Sequence, residues 1–324
     1  MHICSFIFYL SLCLSINPYQ LFSKPPTTQQ TEKVLICGVC KNIQAAVPNI
    51  IQNIEKLGQQ FQDYAVIIYE NNSQDQTVRL LKKWAKLNSH VNFISQKIST
   101  RKLPPTREER IARARNIVLS VAQNAQYDDF KYLIMVDLDF LTPWPIAEIV
   151  NTIQKPGEWD CISANGVFNN GFLYWDRYAY RDEMHCFGPE LLGSYFWNTL
   201  SVENKWFAIE GITYRSVYSA FGGLAIYKRS VITNFTYSGT VTSDLANYYQ
   251  QIIQSTPESN LDFQKYLELN QIKDNAYFQS TGQMIPIVLQ TPITCEHLTL
   301  HASMALKGYN KFYVNPKLYM YYSH

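Results

Sequence analysis

The run Tyr132-Leu-Ile-Met-Val-Asp-Leu-Asp139 decides how this chain is read, because an apolar segment ends there on two carboxylates one residue apart. Tyr132 to Val136 has the unbroken apolar character of a strand buried on both faces, as in parallel sheets, where ligands bind beyond the carboxyl ends of the strands. Asp137 and Asp139 stand at that edge as hard oxygen donors. They suit a Mg2+ or Mn2+ ion whose remaining positions go to phosphate oxygens of a substrate. Chemistry in which a diphosphate departs fits such a site. The competing reading is a plain strand end whose aspartates cap the helix suggested by Pro143-Trp-Pro-Ile-Ala-Glu148.

Outward from this run, apolar windows at 34–39, 64–69 and 91–94 alternate with amphipathic windows at 44–60, 74–87 and 107–123. The alternation predicts right-handed βαβ units, hence an α/β domain with a mostly parallel central sheet flanked by helices. After the first strand stands Cys37-Gly-Val-Cys-Lys-Asn42, which is neither a Gly-rich dinucleotide fingerprint nor a P-loop. That argues against a dehydrogenase or an NTPase. Past Pro145 the regularity fades into an aromatic-rich stretch, 168–206, and a further apolar strand over 219–227. A regular nucleotide-binding half is thus followed by a less regular acceptor half.

With 324 residues, 47% hydrophobic and only 17% charged, the chain can build a large core. Its 28 basic and 26 acidic residues are spread along the sequence, and no basic block points to a nucleic acid partner. The seven cysteines are odd in number and irregularly spaced, so no disulfide framework is expected. Cys37 and Cys40 have CxxC spacing but no second pair, and read as buried strand residues instead of zinc ligands. Residues 1–22 form a signal-like or membrane-associated apolar segment, 23–32 a linker containing Pro25-Pro26, and 33–324 the folded domain. The apolar core of the first segment is short for a membrane span and lacks a charged leader and a clean cleavage site. It places the protein in the secretory pathway or at a membrane, or in the cytoplasm if it is no signal.

Two further segments carry polar chemistry. Tyr69-Glu-Asn-Asn-Ser-Gln-Asp-Gln-Thr77 follows a strand and opens a helix, so Glu70, Asn71 and Asp75 are candidates for contacts to a base and ribose. Simple helix capping by Ser73 with Asp75 in the first turn is the alternative. Asn71-Asn-Ser73 is also a glycosylation sequon, expected to stay unused because a glycan would block the site. Thr106-Arg-Glu-Glu-Arg-Ile-Ala-Arg-Ala-Arg-Asn116 sets arginines along a helix, where forked donors suit phosphates or, alternatively, solvated i,i+4 pairs.

Taken in order, the strand ending near Lys41-Asn42, Y-E-N-N-S-x-D-x-T, R-x-x-R-x-x-x-x-R-N and V-D-L-D resemble the first half of the GT-A class of nucleotide-sugar glycosyltransferases. Tyr174-Trp-Asp-Arg-Tyr-Ala-Tyr-Arg-Asp182, Ser219-Ala-Phe-Gly-Gly223 and Thr294-Cys-Glu-His297 are similar to motifs of the cryptococcal capsule-type mannosyltransferase family. The resemblance spans roughly 33–316. It implies a GT-A-like single domain that moves a sugar, with mannose a candidate, from a nucleotide-diphosphate donor to a glycan hydroxyl. Its implied cofactor is Mn2+ or Mg2+, held by Asp137, Asp139 and His297. Donor contacts would be Glu70, Asn71, Asp75, Arg107, Arg115, Asn116 and Asp137. Acceptor contacts would be Trp175, Asp176, Arg181, Gly222 and Gly223, the glycines letting backbone approach a sugar. Asp182 and Glu296 are the carboxylates available as catalytic base. His301, one helical turn beyond His297, is a weaker candidate ligand. A sugar-phosphate nucleotidyltransferase and a non-catalytic carbohydrate-binding relative are the rivals. The first normally has a Gly-rich basic loop after its first strand, and the second has no need of the paired aspartates.

Overall fold

Strand β1 (Gln30–Cys40) sends alternate side chains to opposite faces, and this alternation sets the layering of the molecule. Val34 and Ile36 enter one apolar core while Leu35 and Cys37 enter another on the far side of the sheet. The computed structural model describes residues 30–168, 173–202, 210–272, 278 and 283–322. The amino-terminal half follows the expected alternation as α1 (Val47–Gly58), β2 (Phe61–Asn71), α2 (Thr77–Leu87), β3 (Val91–Gln96), α3 (Arg107–Ala122) and β4 (Tyr132–Val136). Next come α4 (Ile146–Ile153), β5 (Cys161–Phe168), β6 (Leu173–Tyr174), α5 (Pro189–Leu192), α6 (Ser194–Val202), β7 (Arg215–Ser216) and β8 (Leu224–Lys228). The chain continues through α7 (Arg229–Ile232), α8 (Ser243–Ser255), α9 (Leu261–Leu269), α10 (Glu296–Leu306) and β9 (Phe312–Tyr321).

The strands form one sheet in the order β3-β2-β1-β4-β8-β5-β9-β7, with β6 on β5. Pairing is parallel from β3 to β4 and again between β5 and β9, while β8 runs antiparallel between β4 and β5. This is the expected single α/β domain. Because β4 lies on the other side of β1 from β2, a crevice opens where the strand order reverses. Strands β1, β2, β4, β5 and β9 point their carboxyl ends to this edge, and β8 brings its amino end.

Helix α3 starts where its sequence says it should: the N-cap Thr106 hydroxyl accepts from Glu109 N at 3.3 Å and donates to Glu109 Oε2 at 3.0 Å. Its buried face is Ala112, Ala114, Arg115, Val118, Leu119 and Ala122, so one arginine is turned inward among small and apolar residues. Helix α1 braces the loop after β4. Asn49 and Asn53 donate to the carbonyls of Leu141 and Thr142 at 2.9 and 3.0 Å, and Trp144 N donates back to Asn53 Oδ1 at 3.2 Å.

The expected secretory or membrane placement is corrected here. Among the described residues no helix is long and apolar enough to cross a membrane, and the 1–22 segment lies outside the described residues. Strand β1 begins at Gln30, inside the expected linker. Cys37 and Cys40 both lie in β1, and burial pushes both thiols up, away from metal-binding thiolates.

Candidate active site

A cleft of about 1060 Å³ opens at the sheet edge where β1 and β4 end. Nine of the expected site residues line it: Asn71, Arg107, Arg115, Asp137, Asp139, Trp175, Asp176, Glu296 and His297. Lys41 and Arg110 share the wall with Arg107, while Phe168, Tyr174, Tyr178, Trp197 and Tyr322 make the flank around Trp175 aromatic.

Arg115 is the centre of this site. Its buried guanidinium donates to Asp137 Oδ1 at 2.9 Å and pairs with Glu296 Oε1 at 2.8 Å. The rings of Phe221 and Tyr237 cover it, with centroids 4.6 and 5.7 Å from Cζ. Burial works against its charge, but Glu296 and Asp137 outweigh that and hold Arg115 firmly protonated. Asp137 is 29% exposed. Burial, opposed by Arg115 and reinforced by Asp139, Asp176 and Glu296, pushes its carboxyl up to about 7. Asp137 is also fixed through its backbone, whose N–H donates to the Gly223 carbonyl at 2.9 Å. Asp176 accepts from Gly222 N at 3.0 Å. Both glycines have positive φ, +63° and +85°. A Cβ on Gly222 would lie 2.2 Å from Ala164 O, and one on Gly223 2.5 Å from the Phe140 ring. Their missing side chains therefore admit neighbouring strands and an aromatic ring, and neither glycine is among the residues that line the cleft.

A divalent cation fits this donor set in one way. Asp139 is exposed and Asp137 half-buried on the cleft wall, so two hard oxygen donors are available. Among the described residues no group of three His, Cys, Asp or Glu is disposed to hold a metal ion, so a cation would draw its remaining ligands from substrate and water. His297 is accordingly not gathered with the two aspartates. Its ring is stacked on Phe221 at 3.8 Å between centroids and meets Tyr237 edge-on. Neither ring nitrogen has a hydrogen bond to a described residue, and burial, with Arg115 nearby, holds the imidazole neutral. His301 is a satisfied core residue, its nitrogens 2.9 Å from Ser219 Oγ and 3.0 Å from the Tyr227 hydroxyl.

Several expected contacts lie outside the cleft lining. Glu70 is buried and accepts from Ser73 N at 2.5 Å and Ser95 Oγ at 2.7 Å. Asp75 accepts from Gln44 N and Thr77 N, both at 3.0 Å, and so ties two loops together. Asn116 clamps the backbone of Tyr237, donating to its carbonyl at 2.9 Å and accepting from its N–H at 2.7 Å. Arg181 is wholly buried against Glu190. Asp182 is spent on Tyr180, Met184 N, His185 and Arg215, at 2.8 to 3.2 Å, which leaves Glu296 as the carboxylate of that pair in the cleft. Sequence reasoning missed Phe221, Tyr237 and Tyr322. Of these only Phe221 sat in a quoted motif, immediately before the glycine pair.

The α/β sheet with a carboxylate-lined cleft at its switch point defines a GT-A-type transferase domain. Residues 39–234 match the model of glycosyl transferase family 2, more than half of the chain, and the chain belongs to that family. This removes the nucleotidyltransferase and non-catalytic rivals. No curated protein matches the sequence. Among solved structures, Staphylococcus aureus TarS 1-349 is 13% identical with a TM-score of 0.42, the match covering 90% of this chain and 60% of that one. A mannosyltransferase from Pyrobaculum calidifontis in complex with GDP-Man and Mn2+ is 16% identical with a TM-score of 0.38, over 88% of this chain and 72% of that one. Mycobacterium tuberculosis glucosyl-3-phosphoglycerate synthase is 13% identical with a TM-score of 0.36, over 63% and 59%. The chain therefore spans about three fifths of TarS 1-349. At these values none of the three bears on donor or acceptor.

Proposed function

We propose that residues 33–324 act as one domain that transfers a sugar from a nucleotide-diphosphate donor to a carbohydrate hydroxyl, with Mn2+ or Mg2+ at Asp137 and Asp139. The observation that carries this reading is the single guanidinium of Arg115 joining Asp137 to Glu296 within one cleft. It sets the carboxylate that faces departing charge and the carboxylate that serves the acceptor at a fixed separation. A bound cation supplies Lewis-acid stabilisation of the departing diphosphate. Lys41, Arg107 and Arg110 add positive charge along the same wall, and Asn71 offers an amide at the end of β2 for the nucleoside.

In this reading Glu296 takes the proton of the acceptor hydroxyl as its oxygen bonds to the anomeric carbon and the bond to the diphosphate breaks. One displacement inverts the anomeric centre. Trp175, 46% exposed on the aromatic flank, offers a face for the acceptor sugar. Mannose as the donor sugar rests only on the capsule-type resemblance of the segments 174–182, 219–223 and 294–297.

A screen of UDP- and GDP-sugars with and without oligosaccharide acceptors, in Mn2+, Mg2+ and EDTA, tests the reading. Glu296→Gln is expected to lose about 1000-fold in transfer while still binding donor, a loss in the general-base range. Asp139→Asn is expected to abolish metal-dependent turnover with the fold intact. Full activity in EDTA, undiminished turnover in Glu296→Gln, or retained anomeric configuration by NMR would refute it.

A further inference from the structure

We propose that Glu190, with its buried partner Arg181, is a positioning residue that sets Glu296 against the Asp176 wall of the cleft; the inference rests on reading Glu296 as the base. The two side chains are fully buried, with Arg181 Nη2 3.0 Å from Glu190 Oε1. On one side Arg181 Nη1 donates to the carbonyls of Arg177, Tyr178 and Tyr180 at 3.4, 3.2 and 2.7 Å. Arg177 and Tyr178 line the cleft directly after Asp176. On the other side Glu190 Oε2 accepts from Thr294 Oγ1 at 3.2 Å, and the Glu190 carbonyl accepts from Gln290 N at 2.8 Å. Thr294 leads into Cys295, the cap of α10, and Glu296 is the first residue of that helix. The Tyr249 hydroxyl also donates to Glu190 Oε1.

Glu190, directly and through Arg181, thus joins the segment after Asp176 to the segment that leads into Glu296. The seat is made for it: a Cβ on Gly188 would lie 1.6 Å from Arg181 Nη2, so the guanidinium fits only beside glycine. Apolar side chains of the same volume would hold the core together as well as a buried ion pair does. What they would lack is the directed donors and acceptors that register two backbones against each other.

Removing Glu190 or Arg181 outright strands a buried charge and unfolds the region, so the discriminating change is at the Thr294 link. In the full chain, Thr294→Val is expected to lower kcat for transfer about tenfold, with the KM for whichever UDP- or GDP-sugar supports turnover close to wild type and the Tm lowered by only a few degrees, the cost of one buried hydrogen bond. Thr294→Ser, which restores the hydroxyl, is expected to restore kcat. Unchanged kcat in Thr294→Val, or a loss that follows the folded fraction and is not restored by serine, overturns the proposal. Glu296→Gln run in parallel separates the two ideas. If it keeps full turnover, the base reading falls and this inference with it; if it is inactive while Thr294→Val is normal, only the positioning role falls.

Discussion

Asp137 and Glu296, far apart in sequence, are held by the same guanidinium, with Arg115 nitrogens 2.9 Å from Asp137 Oδ1 and 2.8 Å from Glu296 Oε1. A lysine has one point of charge and no fork, so it satisfies one of these acids at a time. Arg115→Lys is therefore expected to fold but to lose about 100-fold in kcat/KM, roughly 2.7 kcal/mol of transition-state stabilisation. Arg115→Met leaves two acids without their buried partner, and a loss of about 3–5 kcal/mol in urea unfolding is expected. A wild-type rate in the lysine variant would show that the shared guanidinium has no bearing on turnover.

Asp182 belongs to the same motif as Asp176 but holds a turn together. Asp182→Asn weakens charge-assisted acceptance from Tyr180, His185 and Arg215. The expected cost is about 1–3 kcal/mol of stability, with activity per folded molecule unchanged. Transfer rates normalised to folded protein check this, and a selective fall in kcat would return Asp182 to the mechanism.

The same residue sets an acid dependence. Burial by itself would raise the Asp182 pKa, but the hydrogen bonds from His185 and Tyr180 outweigh it and hold the carboxyl well below the usual range. A depressed folded pKa means the stabilisation is complete above the unfolded value, about 3.9, and is lost as pH falls through the folded one. The stability gap between wild type and Asp182→Asn should therefore close as the pH falls below about 4. Urea melts at each pH measure it, and a gap that widens as the pH falls below about 4 contradicts the sign.

Gly223→Ala tests the join between β8 and the Asp137 loop. The substitution places a Cβ 2.5 Å from the Phe140 ring and 2.7 Å from the Tyr322 hydroxyl, at φ +85°. Left-handed backbone alone costs about 1–2 kcal/mol for a residue with a Cβ. A Tm lowered by several degrees, together with weaker Mn2+ retention as Asp137 shifts, is the expected result. Wild-type melting and metal titration would mean that the loop adjusts freely.

The regular half of the fold was legible because buried strands announce themselves: the window at Tyr132–Val136 became β4 with the same bounds, and 91–94 became β3 with two residues added. The window at 219–227 was misjudged at its start. Gly222 and Gly223 adopt positive φ, so β8 begins only at Leu224. Site residues were legible as types but not as directions. Arg181 and Asp182 sit beside cleft residues in sequence yet turn inward, and Asn116 follows Arg115 but faces the Tyr237 backbone. Side-chain direction depends on packing partners beyond the neighbouring residues, such as Glu190, nine positions from Arg181, and Tyr237, 121 positions from Asn116. No local pattern marks those partners, and Tyr322 near the carboxyl terminus carried no signal at all.

Strand β8 enters the sheet edge from outside while its neighbours leave through it. The floor of the cleft is therefore stitched by a carbonyl, that of Gly223, and Phe221, two residues before it, covers the Arg115 guanidinium that holds Asp137. Insertions or deletions in that approach would disturb the carbonyl stitch and the aromatic cover of Arg115 together.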